Sequence, residues 1–314
     1  MRKITIVGAG NVGATAAQFC FARNLGDVVL MDVVEGLAKG KALDFTHTFP
    51  LVNGRHEVTG TSNAADTADS DVVVITAGIA RKPGMSRDDL LKTNGGIVTQ
   101  VVRDVVAQSP DAVLIVVSNP LDVMCLVALK ASGLPPQRVI GMSGILDSAR
   151  LRSNIATVLD VPASSVQAIA MGEHGDGMVC LVRLATVGGV PATDLLTPAQ
   201  MKEIAAATTA GGGTVTGLMG TSAFYAPGMS IATLVEAVIM DTGAILPCSA
   251  YLTGQYGAHD IYMCVPAKIG ARGVETIYEL KLNHDENSAV ARSVAAITSN
   301  VGLIPELQGW CYSA

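Results

Sequence analysis

The residues best suited to acid–base chemistry lie near the middle of the chain, in two short segments, residues 146–150 and 172–176. If the first segment is helical, Asp147 and Arg150 stand at positions i and i+3 and project on the same side. Asp147 can then hold one ring nitrogen of His174 and favour its protonated form, while Arg150 can grip a carboxylate through two parallel hydrogen bonds. A histidine held in this way is a competent general acid and base near neutral pH.

Two further arginines lie in a polar segment, residues 78–87, that glycine and proline residues interrupt. Such a segment is typical of a mobile lid over a site. An arginine on a lid enters the site when a substrate is present, where it polarises a carbonyl group and helps to exclude water. Arg81 and Arg87 are therefore candidate site residues.

The chain begins with a glycine-rich turn that is typical of dinucleotide binding. Residues 8–13 read Gly-Ala-Gly-Asn-Val-Gly, with an apolar strand before them, an amphipathic helix after them and a second strand ending at Asp32. In this motif the first glycine permits a tight turn, the second lets the backbone approach a pyrophosphate, and the third allows close packing of helix and strand. Asp32 would accept hydrogen bonds from ribose hydroxyls. Because an acidic residue repels a 2′-phosphate and Val33 and Val34 supply no arginine, the motif predicts NAD rather than NADP.

Further cofactor contacts are expected where the following strands end, because ligands of open α/β sheets bind at the carboxyl ends of the strands. Residues 76–78 follow one apolar strand and residues 118–120 follow another. The predicted cofactor-binding residues are Gly8, Gly10, Asn11, Val12, Gly13, Asp32, Thr76, Ala77, Gly78, Asn94, Val117 and Asn119.

Aliphatic segments alternate with amphipathic ones in the first half of the chain, which predicts a parallel sheet covered by helices on both faces. The strands are predicted at residues 4–7, 28–31, 57–60, 72–76, 113–117 and 138–140. Longer helical segments follow, predicted at residues 148–159, 198–209 and 229–241. The predicted fold class is α/β, with a doubly wound (Rossmann) parallel sheet in residues 1–142 and a second, α+β catalytic domain in residues 143–314. The two would share a cleft.

Composition excludes several classes of protein. Charged residues make up 15% of the 314 residues and hydrophobic residues 49%, so the chain can bury a large core and is not disordered. The net charge is −6 and no basic block occurs, so nucleic acid is not an expected partner. The 6 cysteines are far apart and none has metal-ligand spacing, which predicts reduced thiols and no metal. Because the apolar N-terminal stretch is too short for a signal peptide, the expected location is the cytoplasm.

The ordered motifs resemble those of the lactate/malate dehydrogenase family, and within it the malate dehydrogenases whose sequences are similar to lactate dehydrogenase. The resemblance covers essentially the whole chain. It rests on the glycine-rich turn with Asp32 and on residues 81–87, 118–120, 147–150, 172–176 and 252–257. It implies reversible hydride transfer between (S)-malate and NAD, giving oxaloacetate and NADH, and a place in the tricarboxylic acid cycle.

The resemblance also implies a role for each matching residue. His174 would take the hydroxyl proton as the hydride leaves C2 of malate, with Asp147 stabilising the imidazolium. Arg150 would hold the C1 carboxylate, Arg87 would polarise the C2 oxygen, and Asn119 would donate a hydrogen bond near that oxygen. The peptide bond after Asn119 resembles the family's cis-proline turn, which aims the asparagine into the cleft.

Arg81 separates malate from lactate enzymes in this resemblance, because lactate-specific members carry an uncharged residue at the matching place and a dicarboxylate needs a second cation. Ala223 matches a site where lactate enzymes carry threonine, which also fits a larger substrate. Glu173 is a departure, since the similar malate enzymes often have glycine there, and we expect it to tune the neighbourhood only.

Three alternatives stay open at this stage. Within the same class, the chain could be an L-lactate or broader 2-hydroxyacid dehydrogenase. A non-catalytic NAD-binding sensor would predict damage to the set of Asp147, Arg150 and His174, which is intact. An NAD- and metal-dependent glycosidase of similar fold would predict a metal requirement.

The longest uncharged run, residues 204–235, is rich in glycine, serine and threonine, which excludes a membrane-spanning helix. No membrane partner is expected. Because several of the few charged residues are committed to the cleft, we expect this run to lie partly at subunit contacts. The expected partner is a second copy of the chain, in a homodimer or, by the family resemblance, a homotetramer.

Overall fold

Parallel strands form the first half of the central sheet. In the computed structural model they are β1 (Lys3–Val7), β2 (Asp27–Met31), β3 (Val58–Thr61), β4 (Val72–Ile75), β5 (Val113–Val116) and β6 (Val139–Gly141). Their order is β3-β2-β1-β4-β5-β6 and neighbouring strands run parallel. This is the doubly wound order of a Rossmann sheet, with its switch point between β1 and β4. The fold class is as predicted, and each of these strands lies within one residue of its predicted bounds.

The structure describes residues 2–52, 55–79, 87–304, 307, 309 and 310. No helix within these ranges is long and apolar enough to cross a membrane. Among the same residues, no group of three or more histidine, cysteine or acidic side chains could hold a metal ion. Arg81 and the side chain of Arg87 lie outside the described part of the chain.

Helices cover both faces of the parallel sheet, which is why its strands are apolar along their whole length. The helices of this half are α1 (Asn11–Ala22), α2 (Glu35–Val52), α3 (Arg87–Gln108), α4 (Leu121–Ser132) and α5 (Gly144–Leu159). Side chains alternate between two buried clusters, so that Ile6 and Val74 face one side of the sheet, whereas Val73 and Ile75 face the other. The carboxyl ends of β1, β4 and β5 are thereby held rigidly at one edge.

The second half is mainly antiparallel. Its strands are β7 (Val166–Gln167), β8 (Ala170–Gly172), β9 (Met178–Cys180), β10 (Thr186–Val187), β11 (Val190–Pro191), β12 (Ala244–Thr253), β13 (His259–Gly270) and β14 (Gly273–Ile277). Of these, β8, β9 and β12–β14 extend the same sheet, whereas β7, β10 and β11 form a separate three-stranded sheet. Its helices are α6 (Ala192–Leu195), α7 (Pro198–Met219), α8 (Tyr225–Ile239) and α9 (His284–Val301). Ser249 of β12 pairs with Gly141 of β6, which joins the two halves into one continuous sheet.

Two helices, α5 and α7, differ from their predicted bounds in ways that matter for the site. Helix α5 begins at Gly144 rather than residue 148, so Asp147 and Arg150 both lie within it. Helix α7 continues to Met219 rather than ending at residue 209, and it contains Gly211, Gly212 and Gly213. The helix persists because a Thr197–Gln200 capping box starts it and because it packs along α5.

Candidate active site

The glycine-rich turn joins β1 to α1 with little room for side chains. Gly8 has φ +107°, and a Cβ there would collide with Oγ1 of Thr76, while a Cβ on Gly13 would collide with the carbonyl oxygen of Gly8. The fold itself therefore requires these two glycines. Gly10 differs, because a Cβ there would meet no atom within 4 Å. It is the N-cap of α1, and its open surroundings give a ligand phosphate access to the helix N-terminus.

Asp32, which follows β2, closes onto the same turn. Its Oδ2 accepts a hydrogen bond from the backbone N–H of Ala9 (2.7 Å), and its Oδ1 accepts one from that of Val34 (2.9 Å). Each carboxylate oxygen has a second lone pair, and the side chain is half-buried rather than enclosed. Asp32 can therefore brace the turn and still accept hydrogen bonds from a bound hydroxyl.

Lys41, on the half-buried face of α2, also contacts the turn and was not predicted. Its Nζ donates a hydrogen bond to the carbonyl oxygen of Ala9 (2.7 Å) and lies 3.4 Å from that of Gly10. The ammonium group thus holds the carbonyl groups of the turn and adds a positive charge beside it. These partners are 32 and 31 residues away in sequence, and no local spacing indicates the contact.

The ends of β4 and β5 converge beside the turn. Oγ1 of Thr76 donates a hydrogen bond to a carbonyl oxygen of β1 (2.9 Å). Asn94, which is buried on α3, joins the two strand ends, because its Oδ1 accepts from the N–H of Ile79 (2.9 Å) and its Nδ2 donates to the carbonyl oxygen of Asn119 (2.7 Å). The peptide bond between Asn119 and Pro120 is cis, as expected. The amide group of Asn94 is therefore engaged by backbone, and it aligns the segments on either side of the cleft.

Asp147 and His174 are in contact, although they are 27 residues apart. Nδ1 of His174 lies 2.7 Å from Oδ2 of Asp147, and Nη1 of Arg150 donates a hydrogen bond to Oδ1 of Asp147 (3.2 Å). Because a carboxylate only accepts, Nδ1 carries the hydrogen and Nε2 is left for a substrate. Asp147 is 2% exposed, whereas the two residues it holds are half-buried and reach toward the cleft.

The surroundings of His174 act on its pKa in opposite directions. Burial lowers the pKa, while the charge and hydrogen bond of Asp147 and the charge of a second carboxylate, Asp122, raise it, and the charge of Arg150 lowers it. The net effect is a pKa above the ordinary value for histidine. The imidazolium form is therefore accessible near neutral pH, which suits a group that must both take and give a proton.

Arg150 lies against the glycine run of α7. A Cβ on Gly211 would lie 3.3 Å from Cδ of Arg150, and one on Gly212 would lie 3.7 Å from its Nη2. The small residues of this helix therefore leave space for the guanidinium group. The position of this run beside Arg150 was not predicted, since the sequence connected the run only with subunit contacts.

One cavity of about 600 Å³ joins these parts at the carboxyl ends of the strands. Its lining includes eight of the predicted residues, namely Val12, Thr76, Gly78, Asn94, Val117, Asn119, Arg150 and His174. The other predicted cofactor residues that the structure describes lie outside this lining, at the turn and the strand ends, namely Gly8, Gly10, Asn11, Gly13, Asp32 and Ala77. Ala223 also lines the cavity, and Glu173 is half-buried on the His174 loop.

Both halves of the chain match known protein families. Residues 2–141 match the family described as lactate/malate dehydrogenase, NAD binding domain, and residues 145–307 match lactate/malate dehydrogenase, alpha/beta C-terminal domain. The chain belongs to the lactate/malate dehydrogenase family. The resemblance found in the sequence motifs is therefore confirmed over nearly the whole chain.

Relatives in the lactate/malate dehydrogenase family are similar over their full length. A malate dehydrogenase from Thermomicrobium roseum is 50% identical over 306 residues, which cover 98% of this chain and 99% of that protein. The solved malate dehydrogenase from Salinibacter ruber has a TM-score of 0.93 at 46% identity, covering 98% and 99% of the two chains. A lactate dehydrogenase from Cryptosporidium parvum, solved with lactic acid and nicotinamide adenine dinucleotide, also has a TM-score of 0.93, at 39% identity and 98% coverage of both chains. The fold alone therefore does not separate the two activities.

Proposed function

We infer that this chain is an NAD-dependent malate dehydrogenase, which interconverts (S)-malate and oxaloacetate by reversible hydride transfer. The observation that carries this conclusion is the Asp147–His174 contact beside Arg150, in a cavity that reaches the glycine-rich turn. A proton acceptor, a carboxylate-binding cation and a dinucleotide site are the parts that oxidation of a 2-hydroxy acid requires. About half of the residues are shared with relatives that are named malate dehydrogenase.

The glycine-rich turn fits NAD. The open surroundings of Gly10 expose the N-terminus of α1 to a pyrophosphate, and Asp32 offers lone pairs to ribose hydroxyls while its charge opposes a 2′-phosphate. When bound, NAD supplies the hydride acceptor. We propose that the cofactor is held by Gly8, Gly10, Asn11, Val12, Gly13, Asp32, Thr76, Ala77, Gly78, Asn94, Val117 and Asn119. Gly8, Gly13 and Asn94 would act through the backbone that they shape.

His174 is the proposed general base and acid. As the hydride leaves C2 of malate, Nε2 takes the proton of the C2 hydroxyl group, so that a C=O bond forms in place of the C–H and O–H bonds. Asp147 fixes the tautomer and stabilises the resulting imidazolium. In the reverse direction, the imidazolium returns the proton to the carbonyl oxygen of oxaloacetate as the hydride arrives.

The arginines provide the proposed substrate contacts. Arg150 would bind the C1 carboxylate with paired hydrogen bonds, in the space left by the glycine run of α7. Arg87 would polarise the C2 oxygen, and Asn119 would donate a hydrogen bond near it. Arg81 would bind the second carboxylate, which distinguishes malate from lactate.

The deciding experiment compares the oxidation of NADH with oxaloacetate and with pyruvate. We expect kcat/KM for oxaloacetate to be higher by about 10² or more, because a missing charge partner is costly in a desolvated site. A preference for pyruvate would replace this proposal with a lactate dehydrogenase. Turnover with neither substrate, in the presence of demonstrable NADH binding, would favour a non-catalytic NAD-binding protein.

We also propose that the chain self-associates, as a homotetramer or a homodimer, and works in the cytoplasm in the tricarboxylic acid cycle. Support for self-association comes from large apolar side chains that are exposed on α2 and at the junction of α7 and α8. Leu51 is 83% exposed, Leu218 is 84% exposed and Tyr225 is 66% exposed. Helices α2 and α8 both contact α1. Large exposed apolar side chains of this kind are typical of surfaces that bind another protein.

A further inference from the structure

A second buried carboxylate lies behind His174. Asp122 belongs to the first turn of α4 and is 4% exposed. Its Oδ2 accepts a hydrogen bond from the backbone N–H of His174 (2.9 Å), and its Oδ1 accepts one from Oγ of Ser249 on β12 (2.6 Å). These contacts link three elements that are 52 and 127 residues apart in sequence. The proposed mechanism gives Asp122 no part.

The loop that carries His174 has open space on two sides. A second cavity, of about 480 Å³, lies between this loop and the start of α4, and its lining includes Asp122 and Asn300 of α9. His174, Gly175 and Asp176 line both this cavity and the larger one that holds the proposed site. Because apolar packing does not clamp a loop between two cavities, hydrogen bonds must fix its position. Asp122 supplies one of them, at the histidine itself.

The groups around Asp122 set its pKa, and its negative charge acts on His174. Burial raises the pKa of Asp122 to about 6, the Ser249 and His174 hydrogen bonds oppose this rise, and the charge of Glu173 adds to it. Cys125, on the same helix, stays a neutral thiol because burial raises its pKa further. Above pH 6, Asp122 is therefore an ionised carboxylate within reach of the imidazole, which Asp147 approaches from a different element.

We propose that Asp122 is a positioning residue for His174, which fastens the histidine backbone between the two cavities and adds a second negative charge that stabilises the imidazolium. The proposal rests on the proposed dehydrogenase function. Asp147 holds the ring, whereas Asp122 holds the main chain, and the two carboxylates together set the proton affinity of the histidine.

The test is the Asp122→Asn variant, which keeps an oxygen acceptor for the His174 N–H but removes the charge. Malate oxidation needs neutral His174 and oxaloacetate reduction needs the protonated form. Loss of a nearby negative charge lowers the pKa of His174, so the acid limb of kcat/KM for malate and the alkaline limb of kcat/KM for oxaloacetate should both move to lower pH, by about 0.5 to 1 unit. A purely structural role would lower activity at every pH without moving either limb.

Two further variants separate charge from position. Asp122→Ala removes the acceptor as well as the charge, and we expect kcat to fall about tenfold or more below that of Asp122→Asn, which is rescue by the conservative change. Asp111→Asn is the matched control, because its side chain is 94% exposed and the substitution removes one charge far from the loop. Both limbs of this control should coincide with those of the wild type.

The outcomes are distinguishable. If the wild type does not turn over malate, the proposed function fails. The pH dependence of His174 modification by diethyl pyrocarbonate then still reports whether Asp122→Asn lowers the pKa of His174. If the wild type is active and the limbs of Asp122→Asn coincide with its own, the role of Asp122 is overturned. If Asp122→Asn does not fold, Ser249→Ala decides, because loss of the Oγ donor raises the pKa of Asp122 and should move the limbs in the same direction by less. Unmoved limbs in that variant would also overturn the proposal.

Discussion

At the scale of single residues, the choice between a dicarboxylate and a monocarboxylate depends on one cation of the predicted lid. Arg81→Gln should remove the preference for oxaloacetate over pyruvate, lowering the ratio of the two kcat/KM values by about 10². The physical reason is that the second carboxylate would lose its charged partner on entering a desolvated site. Steady-state kinetics with both substrates measure the ratio, and Lys82→Gln serves as a neighbouring charge control. A ratio that Arg81→Gln leaves unchanged would defeat the assignment.

Lys41 offers a test of the cofactor turn that does not depend on turnover. Lys41→Met keeps the length of the side chain but removes the ammonium group that binds the carbonyl oxygen of Ala9. Because a charge-assisted hydrogen bond contributes about 1.5 to 3 kcal/mol, the Kd for NADH should rise about tenfold or more. Fluorescence titration of NADH measures the change. Lys39→Met is the control, since Lys39 lies on the same helix and is paired with Glu35 at the surface. Equal effects of the two substitutions on the Kd would mean that the Lys41–Ala9 contact does not support NADH binding.

The residues that sequence could identify are those whose type and neighbours form a motif. Asp147, Arg150 and His174 were predicted to converge, and the structure brings them together because α5 and the His174 loop border the same cavity. Asp122 and Lys41 were not predicted, because each acts through a backbone group that is distant in sequence. Almost every residue has a backbone N–H and C=O group, so the residue types in the sequence do not indicate which backbone group a side chain will bind.

At the scale of elements, the strands were predictable and the long helix was not. Strands covered on both faces are continuous apolar runs, and their ends are set by polar or glycine residues. Helix α7 was predicted to end at residue 209, and each of the glycines that follow costs about 1 kcal/mol of helix propensity. Its packing along α5 outweighs that cost, which propensity alone does not reveal.

The glycines of α7 should differ in their response to alanine. Gly217→Ala should raise the free energy of unfolding by about 0.5 to 1 kcal/mol without changing KM for malate, because no atom lies within 4 Å of a Cβ at that position. Gly211→Ala gains the same helix propensity but places a Cβ 3.3 Å from Cδ of Arg150, so KM should rise severalfold. Thermal unfolding and malate kinetics of the pair measure both effects. Equal KM values would mean that α7 does not set the position of the arginine.

At the scale of the whole molecule, the uncharged run has more than one explanation. Much of α8 is buried within the chain against α1, and Gly211 and Gly212 of α7 face Arg150, so only part of the run is left for subunit contacts. Exposed apolar side chains that could meet a partner lie at the junction of α7 and α8, where Leu218 and Tyr225 are found, and on α2, which carries Leu51. The sequence shows that residues 204–235 carry no charge. It does not show which of these residues pack inside the chain, which line the site and which lie at the surface.

Self-association can be tested on that surface. We expect the wild type to sediment as a dimer or tetramer at micromolar concentration, and Leu218→Glu or Tyr225→Glu to shift it toward smaller species, because a buried unpaired charge is costly. Val158→Glu, at a position 43% exposed on α5, is a control on a different helix. A wild type of monomeric mass would overturn the proposed self-association.

The burial of Asp122 has a consequence for the stability of the protein against pH. Its pKa in the folded chain, about 6, is above the ordinary value of 3.8, so its contribution to folding is fully present below pH 3.8 and is lost as the pH rises through 6. Above that pH the ionised carboxylate weakens the fold, by roughly 3 kcal/mol for a shift of this size. Asp122→Asn should therefore melt at a higher temperature than the wild type at pH 8 and lose this advantage near pH 4, as calorimetry would show. If this variant has both a higher melting temperature and a displaced pH profile, the charge of Asp122 lowers thermal stability while it raises the proton affinity of His174.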